Sequence, residues 1–291
     1  MSQTPGLSST YKGYLFALVC VGLWAGFVWL SRLAGPSGLN SFDLTALRFG
    51  VASVVLLPLW LFWRRVPIFT LTMLPLAATG GLGYALLAYS AFHFAPASHG
   101  AVLLSGMLPF FVTALAWLIL GERPSSWRVG ALGVIGLGVA CMAAYSLDNL
   151  SSSWPGDLMM VAGSCVWGLY TVLVKRSGRP PWEVTTGVGL LSAILYLPVY
   201  GWLLPKAIGT ASWSTIVIQG LFHGVLVVIV AMLCYMQAMV RLGPTRLGAM
   251  MALVPAVAGL GAVVLLGEPF SLWLLAGLVL TSGGAWLGAR S

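Results

Sequence analysis

The sequence predicts an all-α polytopic membrane protein, in which ten transmembrane helices form two inverted five-helix repeats around a central cavity. Three observations predict this fold: the composition, the number of long apolar runs and an internal duplication. The chain has 59% hydrophobic and 7% charged residues, with a mean hydropathy of +0.98. These values lie far outside the averages of soluble domains, so most of the chain is expected to lie in lipid.

Apolar runs long enough to cross roughly 30 Å of hydrocarbon as helix fill most of the chain. The first half contains five such runs, at Tyr14 to Leu33, Leu44 to Trp63, Leu74 to Phe94, Ala101 to Leu120 and Val129 to Tyr145. The second half contains five more, at Leu158 to Val174, Val184 to Leu204, Ile216 to Val240, Leu247 to Leu266 and Leu272 to Leu287. The connections are too short to bury a core of their own, which excludes a separate soluble catalytic domain.

The two halves of the chain repeat one pattern about 146 residues apart. A proline inside an apolar run and a Gly-Glu pair at its end occur as Pro109 and Glu122 in the first half, and as Pro255 and Glu268 in the second. Two repeats are therefore predicted, at 12–147 and 155–290. Because each repeat holds an odd number of spans, the two enter the membrane in opposite senses.

The basic residues follow the predicted topology. Most of them fall on the side of the two termini, at Lys12, Arg64, Arg65, Arg123, Arg128, Lys175, Arg176, Arg179, Arg241, Arg246 and Arg290. Arg32, Arg48 and Lys206 fall toward the other side. The net charge of +8 is spread among the connections, so no nucleic-acid partner is expected. The positive-inside rule predicts a cell inner membrane protein with both termini cytoplasmic.

Prolines and glycines indicate how the helices bend and pack. Pro109 and Pro255 remove a backbone donor inside two spans, and their repetition is compatible with static kinks or with flexible points. Small-residue stripes that predict close helix packing lie at Gly130, Gly133, Gly136, Gly284 and Gly288. Their partner is either another helix of the same chain or a second protomer.

The chemistry-bearing residues do not favour an enzyme. The four cysteines stand singly within spans, the three histidines lack metal-ligand spacing, and Gly-x-Ser-x-Gly is missing from the sequence. A membrane-embedded hydrolase or transferase would need a nucleophile with a base, or a metal constellation. No cofactor and no metal are therefore expected. A channel is disfavoured as well, because the spans lack polar or charged rings.

Polar side chains within the third and eighth spans predict a substrate-facing surface. His223, Val230 and Gln237 recur at every seventh position, which places them on one face of an α-helix. Tyr84 stands at the corresponding part of the third span. Buried imidazole and amide groups need partners in hydrocarbon, either a solute in a wet cavity or a group on a neighbouring helix.

Two tryptophans at equivalent positions extend this candidate site. Trp24 and Trp167 would flank the pseudo-twofold axis between the repeats. Aromatic walls suit flat apolar or zwitterionic solutes through stacking and cation–π contacts, although helix packing and lipid contact are alternative roles. Ser105 on the fourth span and Met250 on the ninth complete the candidate set.

Charged residues are nearly absent from the interior of the spans. Asp43 and Arg48 stand near the start of the second span, where Asp43 favours the helix N-terminus and Arg48 reaches the interface or pairs with Asp43. Both are interpreted as structural. Glu122 and Glu268 are interpreted as caps or partners of nearby basic residues, with gating as an alternative.

With this repeat in place, the chain resembles the ten-helix EamA-type carriers of the drug/metabolite transporter superfamily. The resemblance covers nearly the whole chain and is based on Trp24, Trp167, the Thr45-Ala46-Leu47-Arg48-Phe49 segment and the paired Gly-Glu elements. It implies a central cavity between inverted repeats and the export of small metabolites, with similarity to exporters of aromatic and other neutral amino acids. The related small multidrug carriers use a glutamate in the first helix, and this chain has none there.

The sequence and the resemblance together predict a secondary transporter that works by alternating access. Its expected substrates are small, largely neutral metabolites, foremost aromatic or other neutral amino acids. The protein is expected to lie in the lipid bilayer and to be a monomer or a weak homodimer. An efflux carrier for lipophilic drugs or organic cations is the first alternative, and a non-transport membrane scaffold is the second.

Overall fold

Ten helices account for most of the described residues, 7–148 and 153–289 of a computed structural model. They are α1 Leu7–Ala34, α2 Ser41–Phe62, α3 in three consecutive parts Met73–Leu76, Ala77–Gly83 and Tyr84–Phe94, α4 Ala97–Leu120, α5 Ser126–Asp148, α6 Trp154–Ser177, α7 Pro181–Trp202, α8 Trp213–Gly243, α9 Arg246–Leu266 and α10 Leu272–Gly288. A short 3₁₀ helix, Ile208–Thr210, lies between α7 and α8. Arg290 lies outside this part of the chain.

The helices have the length and composition that a bilayer requires. Seven of those in the described residues are long and apolar enough to span a membrane: α1, α2, α4, α6, α7, α8 and α9. Two shorter apolar helices are Ser126–Cys141 within α5 and α10. The third helix, α3, contains glycine-rich and tyrosine-containing turns, and it belongs neither to the seven long apolar helices nor to the two shorter ones. The prediction of an all-α polytopic membrane protein is confirmed.

The repeated Gly-Glu pairs mark helix ends. Gly121 and Gly267 adopt the left-handed conformation, with φ of 72° and 68°. A residue without a Cβ adopts this conformation at little cost, so these glycines end α4 and α9. Glu122 and Glu268 therefore lie just outside the last turns, where their carboxylates can reach neighbouring helices.

Helix pairing follows a pseudo-twofold axis that exchanges α1–α5 with α6–α10. The first helix, α1, packs on α8 and α9, and α6 packs correspondingly on α3 and α4. In the same way α2 packs on α8, and α7 packs on α3. Pairs α2–α7, α4–α9 and α5–α10 each join a helix to its own counterpart across the axis. This pairing matches the predicted architecture of two five-helix repeats, while the boundaries 12–147 and 155–290 stay predictions.

The two ends of the bundle are distinguished by the helices that meet there. We call the end at which α1 begins and α10 ends the terminal face, and the other end the opposite face. At the terminal face Trp127 Nε1 donates to Leu287 O at 3.0 Å, which joins the start of α5 to the end of α10. At the opposite face Glu268 joins the end of α9 to the start of α4. The first repeat starts at the terminal face and the second at the opposite face, so the repeats are inverted.

Glycine permits the close approach of α5 and α10. A Cβ on Gly284 would lie 2.7 Å from Ile135 Cγ1 and 2.9 Å from Ala131 O, closer than atoms pack. The predicted stripe on α5 differs from the one observed, because Gly130, Gly133 and Gly136 have open space beside them and Gly138 meets α10 instead. Gly138 lies on the face of α5 that is turned toward α10. The positions of the glycines in the sequence do not show which face of α5 this is.

We expect Gly284→Leu to lower the stability of the folded protein by about 1–3 kcal/mol, since α5 would have to move away. The adjacent Gly283 faces open space, and Gly283→Leu should change stability by no more than about 0.5 kcal/mol. Thermal unfolding of both purified variants, followed by tryptophan fluorescence, measures the difference. An equal loss in the two variants would show that the α5–α10 contact is not tight in solution.

Candidate functional site

Three helices carry π-helical segments in their interiors. The segments are Ala77–Gly83 in α3, Leu221–Val230 in α8 and Ala101–Gly106 in α4. Those of α3 and α8 occupy equivalent positions in the two repeats. Such segments are rare in proteins, and those that occur are often found at functional sites. They also shift the register of the turns that follow, so residues seven positions apart no longer share a face.

Four side chains from α1, α2, α3 and α8 meet in the interior of the bundle, and we call them the central cluster: Phe27, Arg48, Tyr89 and His223. The His223 ring lies 5.1 Å from the Tyr89 ring and 5.6 Å from the Phe27 ring, both edge-on. Arg48 Nη1 donates to the Tyr89 hydroxyl at 3.3 Å. Exposure is 5% or less for all four residues. The cluster is therefore polar but shielded from solvent.

Several polar atoms of this region have no hydrogen-bond partner. They include Arg48 Nε and both ring nitrogens of His223. The side-chain amide of Gln219, one turn before His223, donates to Leu30 O, but its carbonyl oxygen is unpaired. Most buried polar groups in proteins are hydrogen-bonded, and an unpaired one is costly. A concentration of such atoms is typical of a site that receives a polar ligand.

An aromatic path extends from the central cluster toward the terminal face. Phe27 stacks on Tyr84 with ring centroids 5.9 Å apart, and Tyr84 lies 4.5 Å from Trp167. Trp167 in turn lies 5.0 Å from Tyr170. These rings come from α1, α3 and α6. Tyr84 and Trp167 are partly exposed, so they can contact a solute that enters from the terminal face.

The terminal face carries a cleft of about 330 Å³ between α4, α5 and α6. Thr171 and Lys175 line one wall, and Thr113 and Arg128 line the other. The Thr171 hydroxyl donates to Trp167 O at 2.9 Å, one helical turn deeper. The cleft thus lies one helical turn from Trp167, and the rings of the aromatic path are not among the residues that line it. Its volume lies at the lower end of the range for small-molecule sites.

The opposite face is closed by polar links between helices. The Glu268 carboxylate accepts hydrogen bonds from the backbone N–H groups of Ala97 and Ser98, at 2.6 and 2.8 Å. His99 Nδ1 lies 2.7 Å from Asp157 Oδ1, which joins α4 to α6. Arg32 Nη1 donates to Phe92 O at 2.7 Å, which joins α1 to α3. A shallow cleft of about 360 Å³ lies outside these links.

The equivalent glutamates of the two repeats have different partners. Glu122 forms an ion pair with Lys175 at 2.6 Å, and both side chains are about half exposed. Glu268 instead caps the first turn of α4. The pseudo-twofold symmetry is therefore broken at the two ends of the bundle. At the opposite face Glu268 links α9 to α4, and at the terminal face an exposed ion pair links Glu122 to Lys175 beside the cleft.

The candidate residues from the sequence are distributed over several places. Tyr84 and Trp167 touch each other, and His223 reaches them through Phe27. Trp24 stacks on Tyr235 at 5.7 Å, where α1 meets α8, in a separate apolar cluster.

Three further candidates lie away from the aromatic path. Gln237 is exposed, and its side-chain oxygen accepts from Arg241 on the same helix. Met250 packs beside Leu242 and Leu247, and Ser105 is half-buried in the π-helical segment of α4.

Two residues of the central cluster, Tyr89 and Arg48, were not among the candidates from the sequence. Tyr89 lies five positions after Tyr84 and was hidden among the aromatic residues of α3. Arg48 was expected to reach the interface or to pair with Asp43, but it is buried, and the Asp43 carboxylate accepts from the Tyr200 hydroxyl at 2.7 Å and from Ala207 N at 3.1 Å. Within residues 7–148 and 153–289, no group of three or more metal-ligating side chains comes together.

Comparison with known proteins agrees with this architecture. The profile of the EamA-like transporter family matches residues 11–144 and again 154–289. A solved structure of 23% sequence identity superposes with a TM-score of 0.60 over 97% of both chains, which supports the fold.

Several relatives match this chain over most of its length and of their own. The threonine/homoserine exporter RhtA of Escherichia coli K12 is 26% identical over 258 residues, covering 85% of this chain and 82% of its own. An uncharacterised protein of Pseudomonas aeruginosa is 29% identical over 88% of this chain and 87% of its own. An uncharacterised transporter of Archaeoglobus fulgidus is 23% identical over 95% and 96% of the two chains.

The family matches cover nearly all of the described helices and both halves of the pseudo-twofold arrangement. They identify a multi-pass membrane transporter of small molecules, not an enzyme, which confirms the resemblance seen in the sequence. This chain belongs to the EamA-like transporter family.

Proposed function

We propose that this protein exports small, largely neutral amino acids and related metabolites across the inner membrane by alternating access. The observation that carries the proposal is the polar central cluster, which is buried from solvent and from which the aromatic path extends toward the terminal face, where a cleft lies one helical turn from Trp167. A solute that reaches Trp167 and Tyr84 through this cleft would meet the unpaired groups of Arg48 and His223. Opening of the opposite face would then release it on the other side.

Two kinds of side chain are candidates for the exported amino acid. The relatives named as threonine/homoserine exporters favour small hydroxylated substrates. The rings of Tyr84 and Trp167 favour a flat apolar or aromatic side chain, which was the leading expectation from the sequence. Efflux of organic cations is disfavoured, because the positive charge of Arg48 would repel a cation at the central cluster.

A flux measurement in proteoliposomes tests the proposal. Vesicles containing the purified protein are loaded with labelled threonine, homoserine, phenylalanine or tetraphenylphosphonium, with and without a pH gradient. Efflux of at least one amino acid at a rate above that of protein-free vesicles supports the proposal. The ratio of threonine to phenylalanine efflux shows whether the protein prefers a small or an aromatic side chain. Efflux of the cation alone would overturn it.

We further propose that the terminal face is cytoplasmic, so that the open cleft faces the cell interior. The support is the excess of Lys and Arg at that face. Single cysteines replacing Arg65 or Arg128 should then react with an impermeant maleimide only in inside-out vesicles. Cysteines replacing Trp154 or Lys206 should react in intact spheroplasts. Labelling of the Arg128 and Trp154 positions from the same side would contradict the orientation of α5.

A further inference from the structure

Arg48 is a buried cation for which the described part of the chain supplies no anion. It is 5% exposed and lies seven residues into α2, about 10 Å from the opposite face. Its guanidinium carries five N–H donors, yet with the residues that the structure describes it makes one side-chain hydrogen bond, the long one to Tyr89. Its Nε has no partner. Among the described residues, no carboxylate oxygen lies within 4.0 Å of it.

The aromatic rings around Arg48 compensate for only part of its desolvation. The guanidinium carbon lies 5.9 Å from the centre of the Phe27 ring and 5.7 Å from that of Phe49. Cation–π contacts at such distances are weaker than a hydrogen-bonded ion pair. A buried charge that lacks an ionic partner is strongly destabilising. Since Asp43 is occupied by Tyr200 and Ala207, an anion from outside the chain would supply the ionic partner that the described residues do not.

The surroundings of Arg48 favour a carboxylate as the anion. A carboxylate is planar and can accept two parallel N–H bonds from a guanidinium. His223 has two unpaired ring nitrogens and lies in contact with both Phe27 and Tyr89 around Arg48, so one more donor is available for the same ligand. On the other side of Phe27, Tyr84 and Trp167 offer aromatic faces, which suit an ammonium group or an apolar side chain.

We infer that Arg48 binds the carboxylate of the transported solute, with His223 as its neighbouring donor. The substrate class is then α-amino acids with a free carboxylate, and amides or decarboxylated amines are excluded from it. This inference rests on the proposed export of amino acids and names the group that recognises them.

The experiment compares substrates with and without a carboxylate. Wild-type protein, Arg48→Gln, Arg48→Lys and the control Arg65→Gln are reconstituted, and efflux of threonine and threoninamide is measured, together with phenylalanine and phenylalaninamide. Arg65 follows the same helix and is exposed. Wild-type and control proteins should prefer the acids. In Arg48→Gln the preference for acid over amide should fall roughly tenfold to a hundredfold, and Arg48→Lys should retain part of it.

A binding measurement separates this inference from the proposed function. The same acids and amides are added to detergent-purified protein and the rise in melting temperature is recorded, which requires binding but not transport. Stabilisation by acids alone, lost in Arg48→Gln, supports the inference even if no efflux occurs, and in that case only the export proposal fails. An equal loss of acid and amide binding in Arg48→Gln would overturn the inference. Should that variant not fold, equal binding of acids and amides by the wild-type protein would overturn it as well.

Discussion

Replacing Trp167 with alanine is expected to raise the substrate concentration that half-saturates transport by roughly tenfold or more. The Trp167 ring touches Tyr84 and Tyr170 and lies one helical turn deeper in the bundle than Thr171, which lines the terminal cleft. Its removal takes away both the apolar area that a solute would cover and the aromatic contact with Tyr84. The aromatic path would then be interrupted between the cleft and Arg48, while the helix ends and the α6 packing glycines stay in place.

The matched control for this variant is Trp202→Ala. Trp202 is 84% exposed at the end of α7, so its loss should leave transport unchanged. Trp24→Ala provides a second comparison, because Trp24 occupies the equivalent position in the first repeat but stacks on Tyr235 away from the path. Its effect should be smaller than that of Trp167→Ala. Concentration-dependent efflux at matched expression measures all three, and similar values for Trp167→Ala and Trp202→Ala would remove Trp167 from the substrate site.

The architecture was predictable because a bilayer allows few solutions. Backbone groups in lipid must be satisfied within a helix, so apolar runs of sufficient length specify the helices directly. The repeated Gly-Glu pairs showed the duplication, since Gly121 and Gly267 are needed to end α4 and α9 in a left-handed turn. An odd number of helices per repeat then determines the inversion.

The faces of the helices were harder to predict than their positions. The spacing of His223 and Gln237 implies a common face only if the helix between them is regular, and the π-helical segment Leu221–Val230 breaks that rule. His223 therefore lies in the central cluster and Gln237 near Arg241 at the surface. Tyr84 and Trp167 do lie together. A large aromatic ring can reach its neighbour even when the rotation of the helix about its axis is predicted with a small error.

The lack of a local ion-pair partner for Arg48 could have been predicted from spacing alone. Asp43 precedes it by five residues, and helical residues share a face at separations of three or four. A pair at this spacing points in different directions, which left Arg48 without a local partner. What the sequence could not show is that α1, α3 and α8 surround this position with Phe27, Tyr89 and His223.

Replacing Glu268 with glutamine is expected to shift the protein toward a state open at the opposite face, by roughly tenfold in population. The Glu268 carboxylate accepts two short hydrogen bonds from the first turn of α4, where the helix dipole also favours a negative charge. Glutamine keeps one acceptor oxygen and loses the charge. Since hydrogen bonds to charged groups contribute about 1.5–3 kcal/mol, the link between α9 and α4 weakens by at least one such bond.

The equivalent position in the first repeat supplies the control for this prediction. Glu122→Gln breaks only the ion pair with Lys175, in which the side chains are 47% and 63% exposed, and such pairs contribute little. A single cysteine replacing Ala101, a fully buried residue one turn into α4, reports opening in a background without Cys20, Cys141, Cys165 and Cys234. Its labelling by an impermeant maleimide should accelerate about tenfold in Glu268→Gln and stay near the parent rate in Glu122→Gln. Equal rates in the two variants would mean that the cap on α4 does not hold the opposite face closed.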